Sequence, residues 1–229
     1  MSFRKDINKH LFDNRYFYLL AATMLQVFLV SFFPNRNNLF INEFTFSLFM
    51  MANINFIRLN RKLIALFVFF ALVAIVLAWI PVQSDIGQII FAVERGLVVA
   101  LISVIIYLII YSIVKTREVN ANMILGVITI YILFGMLAGE ANQIIHHFDP
   151  KAFTGSINPG DPADLRYYSF VTMTTLGYGD IAPVSRLARA SAVFFSLVGQ
   201  IYLAVVIALI VGKYVSASDK KEFRDQEPS

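Results

Sequence analysis

Apolar residues run along this chain in long stretches separated by short polar breaks, at 16–33, 39–57, 63–82, 86–114, 121–147 and 187–213. Each is close to or above the about 20 apolar residues that a helix needs to cross a bilayer core. The pattern predicts six membrane helices. The second is the least uniform, because Asn42, Glu43, Asn53 and Asn55 interrupt it. Between the fifth and sixth lies a polar segment, then a semi-apolar stretch from Asp164 to Thr175. That stretch is too short to cross, so it is predicted to enter the membrane and return, packed within protein.

Composition agrees with a membrane protein. The chain of 229 residues is 58% hydrophobic and 15% charged, with a mean hydropathy of +0.69. A soluble domain has about 45–50% apolar and about 25% charged residues, and disordered chains are poorer still in apolar groups. The absence of cysteine excludes disulfides, thiolate metal sites and a cysteine nucleophile. No glycine-rich phosphate loop or nucleophile-and-base set occurs, which speaks against an enzyme.

Short cytoplasmic loops collect Lys and Arg. With the amino terminus inside, Arg4, Lys5, Lys9, Arg15, Arg58, Arg61, Lys62, Lys115, Arg117, Lys213, Lys220, Lys221 and Arg224 are all cytoplasmic. Arg36, Lys151, Arg166, Arg186 and Arg189 fall outside, and Arg95 lies within a span. Omitting the second span would move Arg58, Arg61 and Lys62 outside and spoil the asymmetry. Six spans with both ends cytoplasmic therefore fit best. No small-residue cleavage site follows Phe33, so the first stretch reads as a membrane helix and not a signal peptide. The net charge of +4 is accounted for by basic loops facing anionic lipid headgroups, with no nucleic-acid partner.

The re-entrant stretch ends Thr172-Met173-Thr174-Thr175-Leu176-Gly177-Tyr178-Gly179-Asp180. A dehydrated cation needs oxygens in place of its water shell, and backbone carbonyls supply them without fixed charge. Alternate residues must leave the usual φ range for consecutive carbonyls to face one axis, and Gly177 and Gly179 do so at low cost. The carbonyls of Thr175, Leu176, Gly177 and Tyr178, with the Thr175 hydroxyl, would form successive oxygen rings. One chain cannot close a ring, and the string occurs once without internal repeat. A four-fold tetramer is expected.

Thr175-Leu176-Gly177-Tyr178-Gly179 resembles the filter signature of the potassium channel family, in its six-helix, one-pore-loop, prokaryotic-like form. Leucine stands where valine is most usual, a mild departure because that residue gives only its carbonyl. The resemblance covers roughly 120–215; elsewhere it is one of helix number and order. It implies K+ as the permeant ion, bound at Thr175, Leu176, Gly177 and Tyr178, and no cofactor. It implies filter support from Asp180, Thr174, Tyr167 and Tyr168, the two tyrosines replacing the family's tryptophan pair, with Tyr167 able to donate to Asp180. Val171 stands where some bacterial members have a glutamate. Glu140 resembles the outer-helix glutamate that braces the backbone just past the filter, or is a solvated interfacial charge. Arg189 matches an arginine near the filter aspartate or a lipid headgroup, or simply snorkels.

The sixth span would line the inner pore. Gly199 occupies the family's hinge-glycine position, with helix packing as the alternative role. Gln200, Leu203, Ile207, Val211 and Val215 share one helical face, on which Ile207 and Val211 could form a dewetting constriction. A lipid-facing or packing stripe is the other reading of that face. The family's Pro-Val-Pro bend is absent; Val206-Ile207-Ala208 stands there.

The fourth span carries Arg95 alone, beside Glu94. Four such arginines crossing the whole field would yield about 9 kcal/mol per 100 mV, and less if Glu94 moves with them. A steep voltage sensor is not expected. Arg95 is expected in a buried ion pair with Glu43 or Glu94. His146 and His147 could sense external pH, or form an interfacial pair without such a role. From the short flanking segments 1–15 and 216–229, no cytoplasmic ligand-binding domain is expected.

The fold class expected is an all-α membrane protein: six transmembrane helices plus a re-entrant pore helix and selectivity filter, assembled as a four-fold tetramer. The layout is a cytoplasmic segment (1–15), a four-helix peripheral domain (16–114), a linker (115–120), a pore domain (121–215) and a cytoplasmic tail (216–229). A homotetrameric potassium channel of the plasma or inner membrane, weakly or not voltage-dependent, is the expected function. A non-conducting modulatory subunit is one alternative. A secondary transporter is another, although the internal repeats of that class are missing.

Overall fold

The structure, a computed structural model, describes residues 15–32, 39–54, 61–78, 85–115, 121–158 and 161–226. The expected cytoplasmic segment up to residue 14, linker positions 116–120, the end of the tail (227–229) and the bases Arg4, Lys5, Lys9, Arg36, Arg58 and Arg117 lie outside the described residues.

Seven helices are described: α1 (Arg15–Phe32), α2 (Leu39–Ile54), α3 (Arg61–Ala78), α4 (Asp85–Lys115), α5 (Ala121–Phe148), α6 (Pro162–Met173) and α7 (Arg186–Gln226). Each apolar stretch became one helix because uninterrupted apolar sequence can satisfy its backbone in lipid only internally. Among the described residues, three helices are long and apolar enough to cross a membrane: Ile86–Lys115, Met123–Phe148 and Arg186–Leu209. Two shorter apolar helices, Arg15–Leu29 and Ala65–Ala78, accompany them. The last helix runs unbroken into the expected tail, to Gln226.

Helix α5 is the hub: α1, α4, α6 and α7 all pack on it. Buried residues at three- and four-residue spacing make the main core, with Val98, Ile102, Ile105 and Ile109 of α4 facing Ile130, Leu133 and Met136 of α5. Tyr16 of α1 lies over Gly126, where an added Cβ would stand 2.6 Å from its ring. Its hydroxyl bonds Ser112 Oγ of α4 at 2.9 Å. This core leaves α7 largely bare: 11% of its span is buried, against 67% of the α5 span. The chain wraps α5 but leaves α7 for lipid or further protein.

Two short strands, β1 (Phe153–Gly155) and β2 (Ile181–Pro183), pair antiparallel with Thr154 opposite Ala182. They tie the segment before α6 to the segment after Asp180. Gly155, at φ 115°, lies so close to the Asp180 carbonyl that a Cβ would collide with it.

Candidate functional site

The site is built on α6. Asp161 caps its first turn, its carboxylate accepting from Ala163 N at 2.8 Å, and Pro162 starts the helix. Proline suits that position, since its missing N–H would have no partner there. Asp164 in the same turn accepts from the Asn158 backbone at 2.6 Å. At the other end the Thr174 hydroxyl donates to Phe170 O at 2.6 Å. Val171 O then takes two amides, Leu176 N at 3.0 Å and Gly177 N at 3.3 Å. The helix thus stops by folding the chain back onto its own last carbonyls.

Beyond that turn, Thr175 (φ 63°), Gly177 (φ 59°) and Gly179 (φ 77°) are left-handed, while Leu176 and Tyr178 between them are not. Such alternation turns successive carbonyls toward one side, as a row of cation-binding oxygens requires. A Cβ at Gly177 or Gly179 would meet nothing within 4 Å in this chain. Glycine is required there by backbone conformation and not by space. Thr175 adopts the same region with a β-branched side chain, a strained state held by its amide on Thr172 O at 3.1 Å. Residues 175–180 are all exposed.

The consecutive tyrosines diverge. Tyr168 is buried with its ring 5.3 Å from Phe153. Tyr167, by contrast, is exposed. Arg189 is exposed and reaches the Pro183 carbonyl at 3.4 Å. Val171 is buried at the back of the turn.

Glu140 is braced differently from the family pattern expected of it. Its Oε2 accepts from Arg95 Nη1 at 2.7 Å and its Oε1 from Arg166 Nη2 at 3.2 Å. Both oxygens face guanidinium groups and not the backbone past the filter, because Gly139 brings α6 against α5 and delivers Arg166: a Cβ at 139 would lie 3.1 Å from Arg166 Cα. Glu140 is 3% exposed, so it is not a solvated interfacial charge. Arg95 also lies 3.0 Å from Glu94 through Nε; the side chain of Glu43 is outside the described residues. Arg166, counted by sequence among the exterior bases, is likewise 3% exposed. Removing one partner from a buried pair costs about 3–5 kcal/mol. His147 stacks on Phe91 with ring centroids 4.5 Å apart, and His146 meets the edge of Phe153.

A second network, unseen in the sequence, joins three helices. Asn142 of α5 donates to Ser169 Oγ of α6 at 2.9 Å and accepts from Ser191 of α7 at 2.7 Å. Nothing in the local sequence of Asn142 signals this; it depends on two hydroxyls from distant segments. Lower down, Gly199 gives α7 a close approach, since a Cβ would sit 2.5 Å from Met173 Cγ and 3.0 Å from Met173 O. Gln200 Nε2 reaches the same carbonyl at 3.4 Å. Gln200, Leu203 and Ile207 are exposed, and the side chain of Val211 is outside the described residues.

Known proteins match this chain over part of its length. The family model described as "Ion channel" matches residues 123–216. "Two pore potassium channel c" of Oryza sativa subsp. japonica is 36% identical over 63 residues, 27% of this chain and 14% of that protein. "Two-pore potassium channel 5" of Arabidopsis thaliana is 36% identical over 67 residues, 29% of this chain and 16% of that protein. A chain of Rhodopseudomonas palustris, provisionally named a potassium channel protein, is 21% identical over 113 residues, 49% of this chain and 26% of its own. The match thus spans a quarter or less, or little more, of each relative's length. No solved structure matches this chain. Its likeness to the potassium channel family is shown, and that likeness lies mainly in the segment that carries α5, α6, the 175–179 string and α7.

Proposed function

We propose that this chain is one subunit of a homotetrameric, potassium-selective channel, with the carbonyls of Thr175, Leu176, Gly177 and Tyr178 as the ion sites. The observation that carries the reading is the left-handed alternation at Thr175, Gly177 and Gly179 directly after a capped half-length helix. Two further features support assembly: residues 175–180 are exposed in the single chain, and α7 is mostly uncovered. Both would be enclosed in a four-fold ring.

On this reading the protein crosses the cell membrane with six spans and both ends cytoplasmic. Its contacts outside the ring are with lipid, including anionic headgroups at the basic loops. Ions pass down their gradient without covalent chemistry. Voltage dependence is weak, because Arg95 is ion-paired with two carboxylates and the group moves little net charge.

Flux into liposomes holding the purified protein tests this. Potassium uptake that barium blocks and sodium does not replace is the expected result. Equal sodium and potassium uptake, or none, refutes the reading.

A further inference from the structure

We infer that Arg95 and Arg166 are positioning residues for the filter, acting through a buried chain of alternating charge that ties α4 to the pore helix α6. The inference rests on the reading of 175–179 as a potassium filter.

Four side chains alternate in sign across three helices. Glu94 Oε2 lies 3.0 Å from Arg95 Nε, Arg95 Nη1 2.7 Å from Glu140 Oε2, and Glu140 Oε1 3.2 Å from Arg166 Nη2. None of these side chains is more than 13% exposed. The formal charges of these four groups cancel. Away from water each link is weakly screened and strong. Glu140 is shared between arginines on two different helices, so a shift of Arg95 changes what Arg166 is held by. As a source of stability alone, four buried ions achieve little that packed apolar groups would not.

From Arg166 the path to the filter is short. Val171 is five residues on, about 7.5 Å along the helix axis, and its carbonyl holds the amides of Leu176 and Gly177. Helix α6 is unbroken over that interval, and its backbone touches α5 at Gly139 without slack. Movement at Arg166 therefore reaches the filter amides as displacement of a rigid body. The position of α4 then biases filter geometry through side chains, in addition to whatever the covalent connection transmits.

The test uses the full chain in planar bilayers, with the wild type measured first. A wild type without barium-blocked, potassium-selective current overturns the channel reading and this inference with it. Given that current, R95Q and R166Q are each expected to assemble and to lower the K+/Na+ permeability ratio by about threefold or more. The double variant should be no worse than the worse single, since both act through Glu140. If R95Q does not assemble, R95K serves instead: it keeps the charge but lacks the planar fork that bridges Glu94 and Glu140, and the same fall is expected. A wild-type permeability ratio in the assembled Arg95 variant, whatever its thermal stability, overturns the inference alone. So do single effects that multiply independently.

Discussion

Replacing Gly199 with alanine separates a hinge from a packing contact by the sign of the stability change. In a free helix the substitution stabilises by about 1 kcal/mol, because glycine has more backbone freedom to lose. Here the new methyl would stand 2.5 Å from Met173 Cγ and 3.0 Å from Met173 O. Met173 is fully buried, so its side chain has no open space to swing into, and the carbonyl belongs to the last turn of α6. Overpacking of this kind costs about 1–3 kcal/mol. The balance is a net loss of about 1 kcal/mol, or about 2–4 °C in melting temperature for a chain of this size. Thermal unfolding of the purified protein, followed by tyrosine and tryptophan fluorescence, measures it. A melting temperature that rises, with conduction unchanged, would refute the packing argument and leave glycine there for flexibility. The same contact predicts that conduction falls along with stability, since Met173 leads directly into Thr174 and Thr175.

Three other outcomes follow from the site. Gly177→Ala places a side chain at φ 59° for about 1–2 kcal/mol per subunit; liposome uptake of potassium should be lost while gel filtration shows the assembly unchanged. Asn142→Ala leaves the Ser169 and Ser191 hydroxyls without their shared partner, which should lower stability by about 1–3 kcal/mol, and an unchanged melting temperature would count against the network. Asp161→Ala removes the cap of α6 and should cost about 1 kcal/mol, whereas Asp161→Asn keeps an acceptor and should stay near wild type; equal losses in thermal unfolding would show that the cap is not the reason.

The parts of this protein that were legible in the sequence are those set by local chemistry. A run of apolar residues must be a helix in lipid wherever it lies, so the helices sit close to the predicted stretches. The 175–179 string could be read because glycine at alternate positions reports a backbone demand, and the left-handed φ values occur there. Capping by Asp161 and Pro162 is equally local. What the sequence left open was rotation. Helices α4 and α7 are apolar nearly all round, so no stripe reveals which face meets which neighbour. The partners of Arg95 therefore depended on packing: Glu140 is 45 positions away, and only the approach of α4 to α5 joins them. Arg166 looked like an exterior base because it follows a polar loop, and it is buried because Gly139 admits α6 against α5. The sequence left Gly199 open as hinge or contact, and its close approach to Met173 depends on how α7 packs on α6. Pattern along one chain determines what each segment is, through burial and backbone geometry. Which charges and which small residues meet is decided by close packing between segments, and that appears only in three dimensions.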